Sequence, residues 1–551
     1  MAWINSTATD YRDMLDQLIE IATSDHVATV ALVAGGTGYS VDDIITLTDG
    51  TFTHAASFRV LTLSGSAIAT LQMEEHGAYT VDPDLTATTA HGVVPSGGTG
   101  ATFNLTMESE PWTVERRAQQ AVSATIDDGG TGYTVGDDIT LTLDGGGVLG
   151  DADNGVLPVF NVDSVSGGIV TAVSLVTAGH LEETPDVNGN AGLQANTTGG
   201  TGANDCILTV TYANKQSSTE DVVILSGPGE GGTDQILCGF RTFQESDVST
   251  FNTVFNWGLY GMTDFTAGLP MHDQNNISPG LVSSTGALEA VTGAFMVLKD
   301  SDAFNITFWA SVTNRRIILV CKIETATTAH YASMYVGFLN QFGTATEVPY
   351  PLWIQGCTSR RNSWWGDTVI GRISGLSDAF AVASSLEGPA FFRDSDGTWR
   401  AYKNSSANDG GSPSRTGFTD YTVFPAHLSA LDADSDDILT ALPAGISMAT
   451  FAPTAGVPGT ADMKLRPTPN SGDDARLMIP LSPMATNRVN SPLTLIFEPR
   501  GELDNCFWIP ASDATTPLTS EDVQKVGDDR YIVFQNGTQT EDFSYFCIKA
   551  E

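Results

Sequence analysis

The feature that most constrains this chain is that part of it occurs twice. The run Gly35-Gly36-Thr37-Gly38-Tyr39-Ser40-Val41-Asp42-Asp43-Ile44 returns as Gly129-Gly130-Thr131-Gly132-Tyr133-Thr134-Val135-Gly136-Asp137-Asp138-Ile139, beginning 94 residues later. Phe58 then matches Phe160, Gly77 matches Gly179, Pro83 matches Pro185, and Gly97-Gly98-Thr99-Gly100-Ala101 matches Gly199-Gly200-Thr201-Gly202-Ala203, all 102 residues apart. The second copy's loop around Gly145 to Gly155 absorbs the difference of eight residues. Landmarks kept in order with one insertion in a loop mark a duplicated module rather than shared low complexity.

Within each copy, short alternating runs such as Ile44 to Leu47, Phe58 to Leu63 and Ile68 to Met73 are broken by Gly, Asp and Thr, the pattern of strands joined by tight turns. Gly35, Gly38, Gly129 and Gly132 permit turns with positive φ. Tyr39 and Tyr133 supply amphipathic anchors, and the neighbouring Asp pairs can satisfy turn amides. Each module is expected to be a compact β-barrel or sandwich of about 80 to 90 residues.

The rest of the chain divides around these modules, and the class is mainly β. Residues 1–25 hold a helix, with Tyr11, Leu15, Leu18, Ile19 and Ala22 at helical spacing and Thr9 or Asp10 as N-cap. Its apolar face must dock on its own domain or on a neighbouring subunit, and it is assigned as an assembly contact. Module 1 spans 26–108 and module 2 spans 121–212. Between them, Pro111-Trp112 and Glu115-Arg116-Arg117-Ala118-Gln119-Gln120 predict a linker helix over 109–120. Residues 213–551 are read as a large β-sandwich-like region, with a division into two subdomains expected near 385–415. Its strongest hairpin is Phe304 to Lys322 around Asn314-Arg315. A turn falls at Arg393 to Trp399, and a third pairing is expected between Asn505–Pro510 and Tyr531–Asn536.

Charge removes whole classes of partner. With 25 basic and 65 acidic side chains the formal charge is −40, and no basic run exceeds a pair of arginines. Nucleic acid and anionic membrane surfaces are therefore poor partners. An acidic surface with only 7 lysines also suits a saline setting, where ions screen its self-repulsion. The first residues are acidic and lack the apolar core of a signal peptide, and no apolar run approaches the ~20 residues of a membrane helix. Synthesis in a cytoplasm is expected. The cysteines, Cys206, Cys238, Cys321, Cys357, Cys506 and Cys547, lie far apart without C-x-x-C spacing and are read as buried thiols.

Four segments of the C-terminal half carry a resemblance. They are Val222 to Gly229 with Asp234-Gln235-Ile236 and Gly239 to Thr242; Phe308-Trp309 to Arg316; Tyr335 to Leu339 with Thr346 to Leu352; and Gly501 to Trp508 with Tyr531 to Asn536. In order and content this half resembles a family of virion structural proteins of tailed bacteriophages, and Val348-Pro349-Tyr350-Pro351 is its most specific piece. The GGTGY modules are similar to β inserts of phage tail, baseplate and fibre proteins. The resemblance implies a particle component of the tail, tail tip or baseplate, present as a homo-oligomer, a trimer or higher symmetric ring, beside other tail proteins. Two modules ahead of the shared half depart from the family pattern, so no N-terminal role carries over.

The residues display no catalytic constellation, and neither an enzyme nor a cofactor is expected. The histidines form no H-E-x-x-H or H-x-H pair, and no Ser sits in a G-x-S-x-G elbow. Glu74-Glu75-His76 and His180-Leu181-Glu182-Glu183 suggest a metal site, but His76 precedes the shared glycine and His180 follows it. Asp432, Asp434 and Asp436 occupy the first ligand positions of an EF-hand-like loop, yet Asp437 stands where Gly is needed and Pro443 where the bidentate Glu belongs. They remain calcium candidates without that motif. Trp364, Trp365 and Trp399, with Trp353 and Tyr335, are candidates for a glycan-stacking platform, against the alternative of β core and subunit interface. The alternatives to a structural tail protein are thus a receptor-binding protein that takes a host surface glycan and, more remotely, a polysaccharide depolymerase. Adjacent Asp residues on a strand point to opposite faces, which is wrong for the carboxylate pair of such an enzyme.

Overall fold

The computed structural model describes most of residues 2–341, its longest omissions being 184–192 and 279–291. Beyond 341 it describes strands within 352–360, 390–404, 421–425, 501–510 and 521–550. The chain is mainly β, in antiparallel sheets, and Tyr11–Thr23 is the one α-helix among the described residues.

Two sheets form the body. One has eight strands in the order Ala2–Ala8, Ile306–Val312, Arg316–Glu324, Ala329–Phe338, Leu352–Gln355, Ala390–Arg393, Trp399–Asn404 and Tyr421–Pro425. The other has six: Thr113–Arg117, Glu220–Gly227, Ile236–Glu245, Val254–Met262, Thr292–Lys299 and Thr358–Arg360. Their facing residues, among them Phe308, Leu319 and Met334 from one and Leu225, Phe240 and Trp257 from the other, share one buried core. Both sheets begin with a strand from the N-terminal part of the chain. Ala2–Ala8 pairs antiparallel with Ile306–Val312, and Thr113–Arg117 pairs with Glu220–Gly227.

The helix joins the same core. Asp10 caps it by accepting from the amides of Arg12 at 2.9 Å and Asp13 at 2.8 Å, while Asp13 reaches back to the Thr9 amide at 2.7 Å. Tyr11, Met14, Leu15, Leu18, Ile19, Ile21 and Ala22 are buried with residues of both sheets. The expected assembly contact is therefore corrected: the helix spends its apolar face within its own chain, where burying it stabilises the body.

The linker helix expected over 109–120 is also corrected. Thr113–Arg117 is an edge strand, and Gln119–Asp128 opens module 2. Local helix propensity in Glu115 to Gln120 yields to the unpaired backbone of Glu220–Gly227, which gains a partner strand. Strand alternation then sends Arg116 toward module 2 and Arg117 toward the helix, where it meets Asp16 and, at 3.2 Å, the buried Asp221.

The modules are insertions in this body. Module 1 enters and leaves through the paired residues His26 and Glu108, and module 2 through Gln119 and Asn214. Their strands match in register: Ile45↔Phe58 and Val60↔Leu71 in the first correspond to Ile139↔Phe160 and Val162↔Val173 in the second. Each has its own core, around Tyr39, Phe58 and Phe103 in one and Tyr133, Ile139 and Phe160 in the other.

In the C-terminal half, Ala390–Arg393, Trp399–Asn404 and Tyr421–Pro425 extend the eight-stranded sheet by successive pairing, while residues 385–389 and 405–415, where the division into two subdomains is expected, lie outside the described residues. A separate four-stranded sheet holds Cys506–Pro510, Val523–Val526, Asp529–Asn536 and Ser544–Lys549. In it, Ser544–Lys549 lies between Cys506–Pro510 and Asp529–Asn536, which therefore do not pair directly as expected. Phe534 packs on Trp309 and Tyr331 of the larger sheet, with ring centroids 4.9 and 5.6 Å apart.

Candidate functional site at the module junctions

The repeat-turn residues build the modules. Tyr39 and Tyr133 are buried, and their hydroxyls accept from the amides of Ala101 at 3.3 Å and Cys206 at 3.1 Å. Asp43 accepts from the Ser40 amide at 2.8 Å, and Asp137 accepts from the Thr134 amide at 2.9 Å. These carboxylates satisfy turn amides, which accounts for their pairing with the glycines without any ligand. Gly38 and Gly132 have φ of 82° and 81°. Gly35 and Gly129 are glycine for another reason: a Cβ would lie 2.3 Å from the Ile68 carbonyl or 2.4 Å from that of Val170.

The glutamate and histidine pairs that suggest a metal site lie at two different junctions with the body. At the first, the His76 amide donates to the Trp3 carbonyl at 3.0 Å, and the Trp3 amide donates to His76 Nδ1 at 3.2 Å. That bond fixes Nδ1 as the unprotonated nitrogen. Glu75 accepts from the Asn5 amide, yet burial pushes its carboxyl up to about 7. His54 Nε2 lies 3.0 Å from Ser6 Oγ and 3.2 Å from Gln17 Oε1, so this ring ties module 1 to both the edge strand and the helix. His26 Nδ1 meets the Gly77 carbonyl at 2.5 Å. Arg530 of the four-stranded sheet donates to the carbonyls of Met73 and Glu74 at 3.2 and 3.1 Å and pairs with the Glu74 carboxylate at 3.1 Å.

At the second junction Glu182 is buried. It accepts from Met271's amide at 2.6 Å and from Arg116 at 3.4 Å, and Arg116 also lies over the Phe265 ring at 4.8 Å. Burial pushes the Glu182 carboxyl up to about 7, against the opposing pull of that amide, Arg116 and Arg241. Among the described residues, no group of three or more His, Cys, Asp or Glu side chains is arranged to hold a metal.

Of the aromatic candidates, Trp353 and Tyr335 are buried in the body. The Trp353 indole donates to Gln355 Oε1 at 2.8 Å, and the Tyr335 hydroxyl donates to the Phe338 carbonyl at 2.7 Å, so neither offers a stacking face. Trp399 begins a strand opposite Arg393. Trp364, Trp365, Asp432, Asp434 and Asp436 lie outside the described residues. Cys206, Cys238 and Cys321 are buried thiols, with Cys206 pushed up to about 11 by burial.

Charge is segregated between modules and body. Residues 26–108 hold eight acidic side chains and only Arg59 as a base, while residues 121–212 hold twelve acidic side chains and no Lys or Arg. The cations that secure the modules come from outside them, Arg116 from the body and Arg530 from the four-stranded sheet. No family model matches the chain, and no curated protein matches it.

Proposed function

We propose that this protein is a non-enzymatic structural component of a tailed-bacteriophage virion, placed in the tail, tail tip or baseplate. The observation that carries the reading is the arrangement of two copies of one small β module, each inserted through paired chain ends into a single β-sandwich body. Such a plan presents two similar projecting units from one rigid platform. It agrees with the family-like segments of the C-terminal half, whose strands supply most of that platform. On this reading the body makes the contacts of a symmetric homo-oligomer and of neighbouring tail proteins. The acidic modules repel one another and the packaged genome, and so stand off the particle as spacers or adhesion units.

Gold-labelled antibodies against the modules, applied to purified virions and viewed by negative stain, test this. Label confined to the tail or its tip is the expected result. Label on the capsid alone, or on no particle, overturns the proposal.

A further inference from the structure

We propose that module 2 docks on a second copy of this chain: Val122, Leu175 and Val176 of one copy receive the edge strand Val523–Val526 of the next. The inference rests on the homo-oligomer of the proposed function and names the two surfaces that join its subunits.

The duplication supplies an internal comparison. In module 1 the end of the strand Ala67–Glu75 is where the module meets the rest of its own chain. Arg530 donates to the Met73 and Glu74 carbonyls and pairs with the Glu74 carboxylate. Glu75 accepts from the Asn5 amide, and the His76 amide donates to the Trp3 carbonyl. Module 2 repeats this strand as Ile169–Thr177 in the same register: Met73 lies opposite Phe58, and Leu175 lies opposite Phe160. The adjoining strand repeats as well. Val27 donates to the His76 carbonyl at 3.0 Å and Ala121 to that of Ala178 at 2.8 Å, which makes Ala28 and Val122 equivalent. In module 2, however, the place is open. Met73 is 5% exposed, whereas Leu175 and Val176 are 36% and 58% exposed, and Val122 is exposed with them.

The residue changes between the copies run against what an open surface needs. Where module 1 has Ala28, Glu74 and Glu75, module 2 has Val122, Val176 and Thr177. An uncovered strand end is protected from stray pairing by charge. The covered copy has that charge, and the open copy has apolar carbon in its place. An apolar patch in an acidic module marks a contact surface, and without a carboxylate at 176 its partner is a mainly apolar one.

The chain itself presents the matching surface. Val523 is the one exposed large apolar side chain among the described residues beyond 212. Its strand, Val523–Val526, ends the four-stranded sheet and pairs on its inner side with Asp529–Asn536, which carries Arg530. The hairpin that grips module 1 with its inner strand thus offers its outer strand to a second module. The single charge in Val523-Gln524-Lys525-Val526 is positive, while residues 121–212 hold twelve acidic side chains and no Lys or Arg. Joining two copies of module 2 would set like charges together, whereas joining module 2 to this strand sets opposite charges together. Because the two surfaces differ, each copy uses both, and the contact is head-to-tail, the type that generates rings when its rotation closes.

Sedimentation velocity of the full-length chain at physiological salt reads the contact. The unsubstituted chain is expected to self-associate, and Val176→Lys, which sets a lysine against Lys525, to raise the dissociation constant about tenfold or more. Lys525→Glu sets a carboxylate against the acidic module and is expected to weaken association as well. Combining Val176→Lys with Lys525→Glu makes an opposite-charge pair and is expected to recover most of the loss. Lys525→Glu without effect, or a double variant no tighter than Val176→Lys, overturns the docking while leaving the homo-oligomer intact. A chain that stays monomeric overturns both, and the gold label reads the virion placement separately. Crosslinking decides the matter if a charged variant fails to fold. A short bismaleimide must join Val176→Cys chains to Val523→Cys chains; joining Val176→Cys chains to one another, or no joining, contradicts the proposal.

Discussion

Gly129 and Gly136 belong to the same turn of module 2 but are constrained differently. Gly136 has φ of 93° with nothing within 4 Å of an added Cβ, so Gly136→Ala carries only a backbone penalty of about 1 kcal/mol. At Gly129 an added Cβ meets the Val170 carbonyl, and the strand seam closed by the 2.9 Å bond from the Val170 amide must shift. Gly129→Ala should therefore cost more, about 1–3 kcal/mol beyond the Gly136 effect, and urea denaturation of the two variants checks the order. Module 1 has Asp42 at the position of Gly136, with φ of 70°, which shows that the repeat tolerates a side chain there. The sequence displayed these glycines and tyrosines plainly, because a duplicated motif exposes what a turn requires. It could not display that Gly35 and Gly129 answer to a strand arriving from 33 or 41 residues downstream, since close approach leaves no local signal.

At the scale of elements, the helix was legible in its apolar spacing and its cap. Asp10→Ala removes the acceptor for two amides and should lower stability by about 1 kcal/mol, measured by thermal melting. The strand Thr113–Arg117 was not legible, because Glu-Arg-Arg-Ala-Gln-Gln has helical propensity and its strand state depends on a partner more than 100 residues away. The metal-like glutamates and histidines were visible as residues, but their role at the junctions emerged only from what the body places opposite them. One edge strand also has a consequence for solution behaviour. Ile169–Thr177 contains no charged residue and exposes Ile169, Leu175 and Val176, where module 1 has Met73 and Glu74 seated under Arg530 in place of Leu175 and Val176. Uncharged edges invite pairing. Val176→Lys should reduce concentration-dependent association in light scattering and change stability by less than about 0.5 kcal/mol.

For the molecule as a whole, the order of the chain misleads about the order of the structure. Read in sequence, helix, module, linker, module and β half look like beads on a string. In space the N-terminal strand, the helix and Thr113–Arg117 belong to the C-terminal half, and the modules leave that body through closely paired ends. The β class and the repeat were readable because both are periodic and local. The nesting was not, because it rests on pairings such as Ala2↔Val312 that span most of the described chain. The most direct test replaces residues 119–214 with a short Gly-Ser bridge and follows amide exchange across the remainder. Insertion through paired ends predicts that the body and module 1 keep their protection, with only Arg116 and the residues that faced Glu182 loosened. Loss of protection throughout the eight-stranded sheet would show instead that module 2 is an integral part of the body, and would contradict the account.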